Sequence, residues 1–562
     1  MTKYWKSGLS ILLLLLVCVP ASIFLLTPGF YEPHDLHHIA DIYEMFRAFA
    51  SGQIPPRLGP DYIFGYGYPL FNFYYPLPFY LGSLFFSLIG SLTVSYKLVF
   101  ISVIVISVLG MYLLLKEFLD KWGAFVGSFL FLYTPYRAVQ IYVRGAMGEA
   151  LALSLFPIFT WAIIRVLKKP NIKTSILAGI IGSIFILSHN YFWALSALWL
   201  VTLIFVVKYK NRLIILVKLV LAGIIALAIS AYWWLPALIE QKLVSATTPF
   251  PLIDHFPFIK QLIIPFWGYG ASLWGPGDGM SFQIGVVNLA VTTFLVIFLI
   301  FGYRKLKNRS LLNLSIWVIA GILINIFMMN VRSYPIWKLM PFYDFIQFPW
   351  RLLSFTAFFT AIAAGIAVSM LSGKKKYVLG LLIVGASLFL TWSYFRPSQK
   401  FYKSDDAYLH RFFANRSIEG QTKGVSEEYL LYSEDYLQLP NWVSVRPKDI
   451  AVPKISSTDL KVSEVTEVNP VHWEGNVELG KLGTVIFHEM YFPGWVAEID
   501  GKIISITSDG PNGEITVKLE GQGTHKLEFF WQETPLRKTA DIISLVAFVA
   551  AIGIFILPIK KK

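Results

Sequence analysis

Long apolar runs, separated by short polar stretches, make up most of the chain outside residues 395–538. Runs of this kind are typical of membrane-spanning helices, and we predict about 12 of them. They lie near residues 8–27, 96–115, 122–135, 147–166, 174–188, 190–207, 213–237, 284–303, 311–329, 352–371, 377–394 and 540–558. The pattern therefore predicts a mainly α fold. A polytopic transmembrane helical bundle covers residues 1–394, and a last helix with a basic tail covers 539–562.

Basic residues lie between alternate runs, and this arrangement sets the expected orientation. Clusters such as Lys374–Lys376 recur there, and positive charge beside a span favours the cytoplasmic side. We therefore expect a multi-pass protein of the cell membrane with both termini in the cytoplasm. Residues 77–92 are apolar as well, but a crossing there would export the later clusters. We expect them to lie along the membrane surface or to re-enter it.

Composition supports a membrane protein and excludes other classes. Hydrophobic residues make up 56% of the chain and charged residues 15%, with a mean hydropathy of +0.60. Soluble globular proteins carry about 25% charged residues. The formal net charge of +14 arises largely from the clusters between apolar runs, so nucleic acid is not an expected partner. The single cysteine, Cys18, excludes a disulfide within the chain and a cysteine-based metal site.

Residues 395–538 differ from the rest because they are polar and charged. A short helix is predicted over 405–413, followed by alternating strands. Strand and turn signals lie at 484–488, Asp500-Gly501, Asn512-Gly513, 514–518 and 525–530. The pattern predicts a small, sandwich-like antiparallel β-rich domain on the extracytoplasmic side. Asn415-Arg416-Ser417 within it matches a glycosylation sequon.

Acidic residues and histidines are concentrated just after the first apolar run. Pro33 suits the first turn of a helix, which we predict to run to Ala50 and to end at Ser51-Gly52. One face of that helix would carry four polar side chains: His34, His37, His38 and Asp41. Glu32 and Asp35 lie at its start, where the helix dipole stabilises negative charge.

Three interpretations of this helix stay open. It is a polar helix on the membrane surface, or two of its histidines bind a divalent ion. In the third interpretation Asp35 is a general base, with His34 or His38 beside it. Desolvation next to the bilayer is then expected to raise the pKa of the Asp35 carboxyl.

Short motifs in a fixed order extend over nearly the whole chain. They are Gly52–Arg57, Gly65–Pro69, Phe71–Pro78, Pro135–Arg137, Tyr142–Gly145 with Gly148-Glu149, Ser188–Asn190, Leu235-Pro236 with Glu240, and Gln347–Arg351. With an acidic residue just beyond the first helix, the set resembles the membrane family named 6-pyruvoyl-tetrahydropterin synthase-related, which is grouped with the GT-C membrane glycosyltransferases. Three later motifs resemble the end of bacterial membrane proteins that glycosylate lipoteichoic acid: Tyr491–Trp495, Asp500-Gly501 and Thr534–Arg537.

The resemblance implies an inverting glycosyltransferase on the outer face of the membrane. Its donor would be a polyprenyl-phosphate-linked sugar, and its acceptor a cell-envelope glycan, lipid or protein. Asp35 matches the acidic residue of the first loop and would be the general base, and Glu32 and Glu149 would be further acids of the catalytic site. The second outer loop lacks a D-x-D motif, so we expect neither a metal nor another cofactor. No pterin chemistry is implied.

Three arginines near outer helix ends are the expected ligands of the donor phosphate, because a guanidinium binds two oxygens at once. They are Arg137, Arg144 and Arg351. Arg351 could equally be an interfacial anchor beside Trp350, and Glu149 a charge at a helix start. Four polar residues are expected to line the site: His34, His38, His189 and Asn190. The last two could equally cap a helix.

The loop from Glu240 to Ser281 is long and rich in Pro, Gly and aromatic residues. We expect it to cover the site and stack on sugar, or to lie at the membrane interface. Two other functions stay open for the whole chain. One is transport of lipid-linked glycans, which would predict charges inside the spans and repeated halves; the spans carry few such charges, and no repeat is evident. The other is a non-catalytic structural or assembly protein.

Overall fold

The computed structural model describes residues 2–207, 209, 211–245, 250–277, 279–302, 309–340, 343–413, 439–447, 450–451 and 453–557. The longer helices, in chain order, are α1 (Thr2–Leu26), α2 (His38–Ala50), α3 (Leu77–Ile89), α4 (Leu92–Leu115), α5 (Lys121–Leu132), α6 (Met147–Lys168), α7 (Ile172–Ile186), α8 (Phe192–Thr202), α9 (Arg212–Ile229), α10 (Ala231–Glu240), α11 (Val286–Gly302), α12 (Arg309–Met328), α13 (Leu353–Ser369), α14 (Gly373–Thr391), α15 (Asp405–Phe412) and α16 (Pro535–Ile556).

Within the described residues, seven segments are long and apolar enough to cross a membrane. They are α4, α6, α9, α12, Pro349–Ser369, Gly373–Tyr394 and α16. The other predicted runs contain shorter apolar helices, such as α5, α7 and α11. The mainly α, multi-pass architecture is thereby confirmed. The count of twelve spans and the orientation of the termini stay predictions.

Two apolar regions differ from a simple row of spans. The predicted run 213–237 is two helices, because α9 ends at Ile229 and α10 starts at Ala231. Residues 77–92 contain α3, whose 13 residues are about 20 Å long. A hydrocarbon core is about 30 Å thick. Helix α3 packs on α2 and α4.

Helix α13 lies at the centre of the bundle, with nearly every side chain buried. It packs on α5, α11 and α12. Glycines let α5 and α13 approach closely: a methyl group at Gly127 would lie 2.8 Å from the carbonyl oxygen of Ala361. Small residues serve this purpose in membranes, where close packing replaces the hydrophobic effect between helices. This close approach fixes α13, whose first turn carries Ser354, against α5.

The strands are β1 (Ile455–Ser456), β2 (Lys461–Asn469), β3 (His472–Leu479), β4 (Leu482–Met490), β5 (Trp495–Ile499), β6 (Lys502–Ile504), β7 (Glu514–Glu520) and β8 (Gly523–Trp531). They form two antiparallel sheets, ordered β1-β4-β7 and β2-β3-β8-β5-β6. The inner faces share one core, in which Phe487 and Phe529 stack at 4.5 Å. Asp500-Gly501 joins β5 to β6 with φ of 47° and 76°, as a type I′ turn requires. The predicted β-rich domain is confirmed.

The β-domain, by which we mean residues 455–531, lies against the loop that follows α2. The Met490 amide donates to the Tyr66 carbonyl at 2.6 Å. Lys454 donates to the Gly65 carbonyl and to the buried carboxylate of Glu489. Helix α15 confirms the short helix predicted over 405–413, and Asp405 accepts a hydrogen bond from the Leu92 amide at the start of α4, at 2.7 Å. The Asn415 sequon lies outside the described residues.

Candidate active site

The segment that carries Asp35 is a turn rather than the first turn of a helix. Helix α2 begins at His38 and not near Pro33, so the predicted start is wrong. The amides of His34 and Asp35 donate to the carbonyls of Val143 and Arg144 at 3.0 and 2.7 Å. These tertiary bonds take the place of the first helical turn. The predicted end is confirmed, with Ser51 as the C-terminal cap and Gly52 next at φ 84°.

The partner of this turn is an irregular stretch between α5 and α6. Residues Val139–Arg144 form a π-helical turn, and Gly145 ends it at φ 66°. A methyl group at Gly145 would lie 2.6 Å from Pro33 Cγ, so glycine is required here for the close approach as well. Wide turns of this type occur often at functional sites. This one brings the Arg144 side chain to both Asp35 and Glu149.

Glu149 is the centre of a buried charge cluster. Its carboxylate binds Arg144 Nη1 at 2.6 Å and lies 3.6 Å from Arg351 Nε. It also accepts hydrogen bonds from Tyr136 Oη at 2.6 Å, Gln140 Nε2 at 3.0 Å and Ser354 Oγ at 3.1 Å. A buried carboxylate is stable only with such partners. The cluster therefore holds two arginines in fixed positions around one acid.

Arg351 comes from a tight turn, Pro349–Leu352, that leads into α13. The preceding Gln347 has φ 61°, a conformation that non-glycine residues adopt at a cost and mostly at functional sites. The Arg351 guanidinium donates to the Ile346 carbonyl and to Gln347 Oε1, each at 3.2 Å. It lies over the Tyr191 ring at 5.2 Å, and Arg144 lies over the Trp350 ring at 4.7 Å. Aromatic faces thus flank both cations.

Asp35 stands at the edge of this cluster. Its carboxylate is 31% exposed and lies 4.0 Å from Arg144 Nη2. No hydrogen bond joins the carboxylate to another side chain among the described residues. Burial opposes ionisation of Asp35, but the charge of Arg144, and then of the nearby histidines, outweighs it and lowers the pKa of the carboxyl below its usual value of 3.8. The expected rise in pKa is therefore wrong, and the group is ionised at neutral pH.

The predicted histidine face is only partly formed. His38 Nδ1 lies 3.0 Å from Asp41 Oδ2, and His37 Nε2 lies 3.9 Å from the same oxygen. Their three ligand atoms lie within 4.8 Å of one another, so these side chains could hold a divalent ion. His34 turns away from them, because its Nε2 bonds the Tyr269 carbonyl at 2.9 Å. Asp41 also accepts the hydroxyl of Tyr62.

His189 and Asn190 lie in the turn between α7 and α8. The His189 ring stacks on Tyr75 at 5.0 Å, and its Nδ1 has no partner among the described residues. Burial, and then the charge of Arg351, lowers the pKa of His189 to about 3, so the ring is neutral. Tyr75 lies flat on Gly148, where a methyl group would come within 2.2 Å of its ring. Asn190 Nδ2 donates to the Phe73 carbonyl at 3.4 Å.

Two predicted site residues have other partners. Glu32 binds Lys403 at 2.7 Å and Arg411 at 3.4 Å, so it ties the turn to the segment around α15. Arg137 is completely buried and donates to Gln140 Oε1, the Ala150 carbonyl and Ser154 Oγ, at 3.1, 3.1 and 2.6 Å. A phosphate could reach Arg137 only after a rearrangement, so its geometry suits support of Gln140 and α6.

Five residues of the site were missed as site residues by the sequence analysis: Tyr75, Tyr136, Gln140, Trp350 and Ser354. Tyr75, Tyr136 and Trp350 lie inside the quoted motifs, so a closer inspection of those motifs could have found them. Gln140 and Ser354 carry no such signal. They are identified only by their bonds to Glu149, at 3.0 and 3.1 Å.

Comparison with known proteins gives one family. A family model described as "6-pyruvoyl-tetrahydropterin synthase related domain; membrane protein" matches residues 71–398, more than half of the chain. An uncharacterized protein of Lactococcus lactis subsp. cremoris (strain MG1363) is 22% identical over 330 residues, which are 56% of this chain and 53% of the relative. The chain thus spans about half the length of this curated relative.

Several solved structures are similar in part. The arabinofuranosyltransferase AftD from Mycobacteria has a TM-score of 0.47 and 16% identity, over 72% of this chain and 28% of that one. ArnT from Cupriavidus metallidurans, bound to undecaprenyl phosphate, has a TM-score of 0.43 and 15% identity, over 69% and 64%. The Archaeoglobus fulgidus oligosaccharyltransferase has a TM-score of 0.41 and 15% identity, over 80% and 61%.

Proposed function

Since this chain belongs to the 6-pyruvoyl-tetrahydropterin synthase related family of membrane proteins, as its ordered motifs predicted, we propose that its charge cluster is a glycosyltransferase site. The enzyme moves a sugar from a polyprenyl-phosphate donor to a cell-envelope glycan, lipid or protein on the outer face of the membrane. The observation that carries the proposal is the partly exposed Asp35 carboxylate beside Arg144, which shares one buried acid, Glu149, with Arg351.

Asp35 acts as the general base. As the acceptor oxygen bonds to the anomeric carbon, its proton passes to the Asp35 carboxylate. The bond between that carbon and the donor oxygen breaks at the same time, and its electron pair leaves with the phosphate. Attack opposite the leaving group gives inversion. The lowered pKa of Asp35 keeps it ionised and ready to accept the proton.

Arg351 and Arg144 hold the departing phosphate. Negative charge on the phosphate grows as the sugar leaves, so fixed cations stabilise the transition state more than the ground state. Arg144 already binds Glu149 closely, whereas Arg351 lies 3.6 Å from that acid and is 12% exposed. We therefore assign the direct phosphate contact to Arg351, and to Arg144 a place between the phosphate and Asp35.

The remaining residues orient these groups. Glu149 positions both arginines, and Arg137 supports it through Gln140. His189, whose Nδ1 has no partner among the described residues, and Asn190 line the side formed by Tyr75, while the charge of His38 acts on Asp35. Glu32 fixes the turn through Lys403. His34 lines the entrance, where it binds the loop at Tyr269.

The arginines supply the positive charge that the phosphate needs, so the proposal assigns no metal to the transfer. A chelator such as EDTA is expected to leave the transfer rate unchanged in purified protein. A loss of rate that a divalent ion restores would contradict this assignment. In that case a divalent ion held by His37, His38 and Asp41, whose ligand atoms lie together, would neutralise part of the phosphate charge.

The central test is Asp35→Asn, which keeps the size of the side chain and removes the base. The protein is placed in proteoliposomes with radiolabelled polyprenyl-phosphate monosaccharides and a cell-envelope extract, and label in the acceptor is measured. Loss of a general base lowers rates by about 10²–10⁴-fold. We expect a fall of this size at an unchanged protein level.

A matched control is Asp459→Asn, the same change at an exposed aspartate of the β-domain side, which is expected to retain full transfer. Undiminished transfer by Asp35→Asn would contradict the base assignment. Movement of a lipid-linked glycan across the bilayer by the wild-type protein, without transfer of its sugar, would favour the transport alternative.

A further inference from the structure

The segment Phe258–Trp274, in the loop between α10 and α11, exposes apolar side chains, while polar side chains beside it are buried. Apart from Lys260, its large exposed side chains are apolar, with exposed fractions from 37% at Phe266 to 79% at Trp274. The exposed set is Phe258, Ile259, Ile263, Ile264, Phe266, Leu273 and Trp274. In the same region the amides of Gln261 and Gln283 are buried, 4% and 3% exposed. A loop facing water would show the opposite pattern.

The inner side of the segment is fastened to the protein. Gln283 Nε2 donates to the Phe266 carbonyl at 2.7 Å, and Trp267 stacks on Tyr394 at 4.3 Å. Ser272 Oγ accepts from Trp350 Nε1 at 3.0 Å. The exposed apolar side chains therefore belong to a structured segment, and their exposure follows from the way it packs.

The helices on either side of this loop indicate which medium the apolar face contacts. Helix α10 exposes Leu238 and Ile239 near its end, and α11 exposes Val286 at its start. Both helices are apolar, and α11 is one of the shorter membrane-type helices of a multi-pass membrane protein. Exposed apolar side chains are therefore found at both ends of the loop that contains the segment, as well as in the segment itself.

The charge of the segment fits the same surroundings. Lys260 is its only charged residue, and it contains no acid. Lys260 is exposed beside Ile259. A single lysine among Ile, Phe and Trp is typical of a chain that lies at the boundary between headgroups and acyl chains, where the ammonium reaches lipid phosphates.

We propose that Phe258–Trp274 is an interfacial lipid-binding segment, whose exposed apolar side chains insert into one leaflet of the bilayer. Its occupant is the acyl region of bulk membrane lipid. The opposite side of the segment reaches the candidate active site, because Tyr269 holds His34 at 2.9 Å and Ser272 holds Trp350. The segment thus joins the bilayer surface to the loop that carries Asp35. The lipid contact itself does not depend on the proposed function.

The test measures where side chains of the segment lie. Cys18 is the only cysteine, so Cys18→Ser gives a background for single labels. Nitroxide labels are placed at Ile263→Cys and Trp274→Cys, two exposed positions where a label is accommodated. The full-length protein is reconstituted in vesicles of phosphatidylethanolamine and phosphatidylglycerol without polyprenyl phosphate. Power saturation then compares collisions with oxygen, which concentrates in lipid, and with a water-soluble nickel complex.

Two matched positions calibrate the result. Val546→Cys in α16 and Ile503→Cys in β6 are also exposed apolar sites, at 61% and 73%, and are expected to report lipid and water. The oxygen-to-nickel ratio at Ile263 and Trp274 is expected to be several-fold above that at Ile503 and close to that at Val546. A ratio equal to that at Ile503 would overturn the proposal. So would a ratio that rises only when polyprenyl phosphate is added, since the occupant would then be the carrier tail.

Discussion

Two of the buried charge clusters in the described part of the chain differ in how completely their arginines are enclosed. In the first, Glu149 binds Arg144 at 2.6 Å and lies 3.6 Å from Arg351. In the second, beneath the β-domain, Arg537 Nε binds Glu240 at 3.0 Å. There Arg57 binds Glu533 at 3.0 Å and Asp541 at 2.9 Å, and donates to the Tyr232 carbonyl at 2.6 Å.

We call the second cluster closed because both of its arginines are enclosed, although its acids Glu533 and Asp541 are 18% and 23% exposed. The side chains of Arg57 and Arg537 are 1% and 0% exposed, and Arg537 lies between the rings of Phe492 and Trp531 at 5.2 and 5.0 Å. It fastens α16, α10 and the loop after α2 to one another. The first cluster leaves Arg351 partly exposed and has the open carboxylate of Asp35 at its edge. In the first cluster both a cation and an acid can thus be reached, whereas in the second only acids can.

The largest effect, on thermal stability, is expected from removing an arginine of the second cluster. Arg537→Met keeps a similar volume but leaves Glu240 buried, with Asn72 as its remaining partner within the described ranges. Loss of one member of a buried pair costs about 3–5 kcal/mol, or roughly 10 °C in Tm for a protein of this type. Thermal unfolding in detergent, followed by tryptophan fluorescence, measures the fall. Lys538→Met, one residue further along the exposed side of α16, should leave Tm unchanged.

Transfer per folded Arg537→Met molecule is expected to match the wild type. A variant with normal Tm and lost transfer would contradict the division of the two clusters.

The next effect is expected in the first cluster, where a substitution should lower transfer and leave Tm nearly unchanged. Arg351→Ala removes the proposed phosphate ligand, and loss of one such charge contact lowers kcat by about 10²–10³-fold. Glu149 keeps Arg144, Tyr136, Gln140 and Ser354, so Tm should change little. Arg351→Lys retains the charge but loses the fork, and is expected to be intermediate.

Arg332→Ala, an exposed arginine, is the control for loss of charge alone. A large fall in Tm for Arg351→Ala, with transfer per folded molecule preserved, would make Arg351 a structural residue like Arg537.

A pH dependence of stability is expected from another buried acid, Glu489, at the contact between the β-domain and the loop after α2. Burial raises the pKa of Glu489 to about 8, against its usual 4.5, although Lys454 opposes the rise. The folded state thus holds a proton that the unfolded chain loses. The free energy of unfolding is expected to fall as pH rises from about 4.5 to 8 and to level off above. Glu489→Gln should flatten this dependence of Tm on pH, and an unchanged slope would contradict it.

The smallest effect is expected at Tyr136, whose hydroxyl donates to Glu149 at 2.6 Å and accepts from Arg144 at 3.4 Å. Tyr136→Phe removes both of these hydrogen bonds, and we expect a loss of roughly tenfold in kcat. KM for the donor should stay unchanged, because the phosphate contact at Arg351 remains. A rise in KM with unchanged kcat would show that Tyr136 acts in donor binding.

Local properties were predictable from the sequence. Apolar runs predicted the helices. Gly52 and the Asp500-Gly501 turn predicted where α2 and β5 end. Both kinds of signal are local, because hydropathy and positive φ depend on a few neighbouring residues. The ordered motifs also predicted the family. The place of Asp35 after the first helix could be read directly.

Only the tertiary structure decided how the charged residues pair. Arg144 and Arg351, far apart in sequence, meet at Glu149 together with Ser354, 205 positions from that acid. Arg137, similar to them in sequence context, is enclosed instead. The turn at Asp35 exists because carbonyls of residues 143 and 144 replace helical partners. A buried charge must be neutralised by whatever side chains packing brings to it, and packing joins distant parts of the chain.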